Sequence, residues 1–154
     1  MNARLFAILA GAAVAVTGIA ASADEHIERA IDTRQGQFKL FAFNIGPLAQ
    51  MAQGDIPYDA DRAEAAAANL AALTGLHQDG LWPEGSDNAS VDGTRALPVI
   101  WDNLDDFADK LAAANSAVLD LEAVAGDGLD AVRANLGPVG NACSACHDNY
   151  RAEQ

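Results

Sequence analysis

Cys143 and Cys146 are the only two cysteines of this 154-residue chain, and they stand with His147 in the stretch CSACHDNYR, residues 143–151. Two thiols with an imidazole directly after the second form a compact set of soft ligands. A disulfide across a helical Cys-x-x-Cys would close a very small loop, stabilising little and straining the bond. A zinc site needs about four N or S ligands, and the other histidines, His26 and His77, are isolated in the sequence. A thioredoxin-like redox pair requires a βαβ setting. Cys-x-x-Cys-His is also the attachment signature of c-type haem, in which both thiols add to the porphyrin vinyl groups and the next imidazole binds the iron. Helical steps of about 100° place Cys143 and Cys146 on one face with His147 beside them, one turn after Cys143. Covalent haem is the favoured reading, with Cys143 and Cys146 as the attachment residues, His147 as the axial iron ligand, and one haem c per chain.

Such a site needs helices to hold it, and the hydrophobic periodicity supplies four. The first is expected over 24–53, with Ile27, Ile31, Arg34, Phe38, Phe41, Ile45 and Leu48 alternating at spacings of four and three. The second, over 59–78, carries Ala63, Ala66, Leu70, Leu73 and His77 on one stripe. Residues 79–98 are rich in Gly, Pro, Asn, Asp and Ser and read as one long loop, partly pinned by Trp82. A third helix is expected over 103–125 with Asn103 as its N-cap and Leu104, Phe107, Leu111, Ala114, Val118, Leu121 and Ala125 inward. The fourth, over 129–151, has Leu129, Val132, Leu136, Val139, Cys143, Cys146 and Tyr150 as its stripe, and Gly137-Pro138 should kink it without ending it. The fold class is therefore all-α: an antiparallel up-down-up-down four-helix bundle with both cysteines at core positions of the last helix.

The chain opens with a basic Met1–Arg4, an apolar run over 5–20 and Ala21-Ser22-Ala23. That is the layout of a secretory signal peptide over residues 1–23, cleaved before Asp24, rather than of a retained anchor, which needs about 20 apolar residues. No other segment is apolar enough to span a bilayer. The working domain is then 24–154, enough for one core. Removing Arg4 leaves 8 basic against 22 acidic residues, a formal charge of −14. Such a surface repels nucleic acid and anionic membranes and favours basic protein partners. An exported location follows.

Over the whole of 24–154 the chain resembles the class II cytochromes c, the group that contains cytochrome c′ and its low-spin relatives. The resemblance rests on CSACHDNYR at 143–151, RQGQFKLFAFNIGPLAQM at 34–51, LWPEGS at 81–86 and ALPVIWDN at 96–103. It implies a periplasmic monohaem bundle, often a homodimer through its first two helices. It also implies that Arg34 lies beside a haem propionate. This suits a guanidinium on a core stripe, which otherwise needs an anion or a route to water. Arg151, four residues after His147, is expected to act similarly or to shield the proximal side. The sixth-ligand position falls at Phe38, where low-spin members carry methionine; phenylalanine cannot bind iron, so the resemblance implies a five-coordinate haem under an apolar lid. Met51 lies 13 residues on, roughly 20 Å along the helix, at the wrong end, whereas His77 stays open as an alternative sixth ligand and His26 reads as solvated. Two roles follow: electron transfer with redox protein partners, or binding of nitric oxide or carbon monoxide. No distal acid–base set beyond His77 is present, so the chain is not expected to be an enzyme.

Overall fold

The computed structural model describes the backbone of residues 15–153 and the side chains of 23–153. Most of the expected leader, residues 1–14, lies outside the described residues. Five helices follow: α1 (Ala15–Gln53), α2 (Ala60–Thr74), α3 (Val99–Asp102), α4 (Leu104–Glu122) and α5 (Leu129–Tyr150). Four are long and α3 is a single turn, so the four-helix expectation holds for the bundle itself. No helix among the described residues is long and apolar enough to cross a membrane.

The long helices close a square in which α1 packs on α2 and α5, and α4 packs on the same two neighbours. Three side-chain bonds fix the antiparallel sense. The Gln37 amide of α1 donates to the Leu73 carbonyl near the end of α2 (2.8 Å), the Arg133 guanidinium near the start of α5 donates to the Ala52 carbonyl at the end of α1 (2.8 Å), and the Tyr58 hydroxyl ahead of α2 donates to the Ala125 carbonyl just beyond α4 (2.9 Å).

α1 starts at Ala15, earlier than residue 24, and runs unbroken across the expected cleavage point, where Ala20, Ala21 and Ala23 favour the helix and no proline interrupts it. Asp59 caps α2 by accepting the Arg62 backbone N–H (3.0 Å). α2 ends at Thr74, short of the expected Gln78, where the Thr74 hydroxyl bonds back to the Leu70 and Ala71 carbonyls and Gly75 takes the cap position. Asn103 does occupy the N-cap of α4, but its side chain caps nothing; it donates to the Val99 carbonyl of α3 instead (3.1 Å). Helix α5 continues through Pro138 to Tyr150, as expected of a proline that interrupts one bond without a following break.

Two apolar clusters fill the bundle. The long one joins Leu48 and Met51 of α1, the alanine face and Leu70 of α2, Val118 and Leu121 of α4, and Val132 and Val139 of α5. A shorter aromatic one, around Ile100, Phe107 and Tyr150, lies at the end where α5 finishes, with Trp82, Trp101, Leu111 and Cys146 against it. Leu104, expected inward, is 53% exposed, because it is the first residue of α4 and Phe107, one turn later, takes the core position.

The loop between α2 and α3 is tied down along its length. The Leu97 backbone N–H donates to the Tyr150 carbonyl (3.0 Å) and that of Ala152 to the Arg95 carbonyl (2.8 Å), an antiparallel bridge that seals the loop onto the end of α5. The Trp101 indole donates to the Trp82 carbonyl (3.2 Å).

Candidate functional site

Helix α5 carries Cys143, Cys146 and His147 within its last two turns. Both cysteines are free thiols and half-buried. Cys143 packs against the long core and Cys146 against the aromatic cluster, so the pair stands at the junction of the two. Burial pushes both thiols above the ordinary cysteine range, partly countered by the Arg151 charge.

His147 is half-buried and lines an open cleft of about 480 Å³ with Arg95, Asp148, Arg151, Ala152 and Glu153. Burial, then the Arg151 and Arg95 charges, hold its imidazole below the usual histidine value, so it is neutral with a free lone pair. A neutral imidazole beside two thiols on one helical face fits covalent haem attachment with axial ligation, and the donor types and protonation states all agree. Among the described residues no group of three or more His, Cys, Asp and Glu side chains gathers to hold a metal ion of its own; His26 and His77 are both exposed and stand on other elements.

A continuous aromatic wall supports this end. Phe107 stands edge-on to Tyr150 (centroids 5.2 Å) and to Trp82 (4.8 Å), and the Arg34 guanidinium lies 4.5 Å from the Trp82 ring centroid. The Tyr150 hydroxyl donates to Asp106 Oδ2 (2.6 Å), which pushes the phenol up to about 12.

Arg34 is 2% exposed, as its place on the core stripe predicts. Among the described residues its partners are neutral. The guanidinium donates to the Leu81 carbonyl (3.0 Å), to the Ser86 hydroxyl (2.7 Å) and carbonyl, and to the Thr94 hydroxyl (2.9 Å), all neutral acceptors on the long loop. A planar fork of donors can be satisfied this way where a point charge could not. Burial lowers it to about 10, leaving it charged at neutral pH. Sequence reasoning missed Ser86, Thr94 and Arg95 because nothing local marks them; the only signal was a charged residue on an apolar stripe facing a loop full of small polar residues.

Phe38 follows Arg34 by one turn of α1, is 44% exposed, and tilts against Phe41 at 6.3 Å between centroids. Arg151, exposed at the end of α5, lines the same cleft as His147, and its charge helps hold that imidazole low. Met51 is 1% exposed in the long core, beside Ala52, where Arg133 bonds; Cys143 is ten residues further along α5, about 15 Å away. It is at the wrong end of the bundle to serve as a ligand. His77 is exposed on the segment after α2, four residues beyond Leu73, whose carbonyl accepts from Gln37, the residue before Phe38.

A family model described as Cytochrome C′ matches residues 29–151. A cytochrome c′ from Cereibacter sphaeroides is 39% identical over 148 residues, covering 96% of this chain and 97% of the relative. Cytochrome c-554 of the same organism is 38% identical over 138 residues, 90% of each. Among solved structures, a cytochrome c′ from Rhodobacter sphaeroides superposes with a TM-score of 0.81 at 40% identity, covering 83% of this chain and 98% of that one. A nitric oxide complex of a cytochrome c′ variant from Alcaligenes xylosoxidans gives a TM-score of 0.73 at 32% identity, covering 83% and 97%.

Proposed function

Because the chain belongs to the cytochrome c′ family, non-enzymatic four-helix-bundle proteins with one haem c bound covalently through Cys-x-x-Cys-His, we propose that it is an exported, periplasmic electron carrier. Cys143 and Cys146 would hold the haem as thioethers and His147 would ligate its iron. When bound, haem supplies a one-electron ferric–ferrous couple.

The residues of this chain do the rest. The observation that carries the reading is the placement of His147: half-buried on the inner end of α5 yet lining a cleft that opens to solvent. A redox centre there is screened from bulk water on its core side and within reach of a docked partner on the other. The aromatic wall of Trp82, Phe107 and Tyr150 excludes water from the side that Cys146 faces. Arg34 and Arg151 add positive charge at this end, suited to pairing with propionates, while Arg34 holds the loop in place. The acidic surface steers basic redox proteins. Export rests on the leader over 1–23, which trypsin-free periplasmic extraction and N-terminal sequencing check: Asp24 is the expected first residue.

A second reading is favoured by Phe38, which offers no ligating atom where low-spin relatives place methionine, and by the nitric oxide complex of a family member. On it the haem binds nitric oxide or carbon monoxide under an apolar lid. Stopped-flow oxidation of the ferrous protein by a basic redox protein separates the two roles. Turnover-competent rates that fall steeply with added salt support the carrier; slow, salt-independent exchange with tight nitric oxide binding sinks it and leaves the gas-binding role.

A further inference from the structure

Asn115 is the one place among the described residues where a buried side-chain polar atom, its Oδ1, lacks a hydrogen-bond partner. Buried polar groups are nearly always paired, and an unpaired one is destabilising, so each exception calls for a partner. Its position says where that partner is. Helices α4 and α5 are antiparallel, and their contacts descend one turn at a time on both. Phe107 meets Tyr150, and Leu111 and Cys146 join the same aromatic cluster. Val118 and Val139 join the long core. Between Leu111 and Val118 comes Asn115, and between Cys146 and Val139 comes Cys143. That register sets Ala114 opposite Cys143 and Asn115, the next residue, opposite Ala142, so Asn115 lies within about 1.5 Å of the level of Cys143, at the junction where the two clusters meet.

Resting on the haem reading above, we propose that Asn115 is a haem-pocket positioning residue whose amide takes its partner from inside the site, as a hydrogen bond from an ordered water held against the haem. The polypeptide offers Oδ1 no donor, whereas an apolar side chain at 115 would leave no polar atom unpaired. The amide dipole there stabilises the charged ferric state, so its loss disfavours that state.

The test compares the holoprotein with Asn115→Leu and Asn115→Ser, each first checked for covalent haem by mass and for helix content by circular dichroism. Asn115→Leu is expected to raise the midpoint potential and shift the ferric Soret band, with Asn115→Ser, which keeps an oxygen, falling between it and the parent. A crystal structure of the parent holoprotein should show a water within hydrogen-bond distance of Oδ1. Unchanged potential and spectrum in a Leu variant that carries haem and gains only thermal stability would overturn the proposal while leaving the haem reading intact. A parent chain that takes up no covalent haem would overturn both. If the Leu variant fails to fold, the Ser variant and the water decide the matter: a parent-like potential with a dry Oδ1 overturns the proposal.

Discussion

Arg34 shows how one side chain ties the loop to the bundle. Its guanidinium reaches acceptors at Leu81, Ser86 and Thr94 and stacks near Trp82, which itself leans on Phe107. Replacing it with alanine leaves several buried acceptors unmet, so Arg34→Ala should lose roughly 2–4 kcal/mol in urea unfolding, and Arg34→Lys should recover only part because an ammonium cannot reproduce the fork. At Phe38 the prediction is spectroscopic. Phe38→Met supplies a thioether one turn after Arg34, and the ferrous protein should turn low-spin; a spectrum that stays high-spin would show that this position does not face the iron. Cys143, Cys146 and His147 were legible because their chemistry is written within five consecutive residues. The partners of Arg34 were not, since they lie 47 to 60 residues away in sequence and are ordinary loop residues.

The helices themselves could be read because burying one face imposes a period near 3.6, and Ile31, Leu48, Leu70, Val118, Leu121, Val132 and Val139 all fall where that period puts them. What periodicity could not show is tertiary in origin: the single turn α3, the early end of α2 and the bridge from Ala96 to Arg151. The loop between α2 and α3 should respond to acid. Burial raises the Asp87 carboxyl, but the Ala89 and Ser90 backbone N–H groups and the Ser90 hydroxyl bond to it, and the net effect holds it below the usual aspartate value. A depressed carboxyl contributes stability that is complete above its unfolded value of about 4 and is lost as pH falls through the lower folded value. Amide protection factors over residues 86–94, taken relative to the intrinsic exchange rate at each pH, should therefore fall below about pH 4, with Asp87→Asn already less protected at neutral pH. At the end of α5, Tyr150→Phe removes the bond to Asp106 that ties α5 to α4. It should lower the melting temperature by a few degrees without loss of covalent haem; an unchanged melting temperature would mean the bond contributes nothing net.

For the whole molecule, the formal charge of −13, or −14 without the leader, sets long-range behaviour. Association with a basic redox partner should slow steeply as ionic strength rises and the screening length shrinks to about 8 Å near 0.15 M; a rate indifferent to salt would argue against electrostatic docking. Composition and charge were readable at once, whereas the two-cluster core, with its junction at Cys143 and Cys146, needed the three-dimensional packing. The central claim is one covalent haem on α5, ligated by His147, with Phe38 offering no second ligand. The most direct test is the visible and resonance Raman spectrum of the processed holoprotein, ferric and ferrous, with and without nitric oxide. The account predicts a high-spin, five-coordinate iron that responds to nitric oxide; a low-spin spectrum in both states, abolished by His77→Ala, would contradict it.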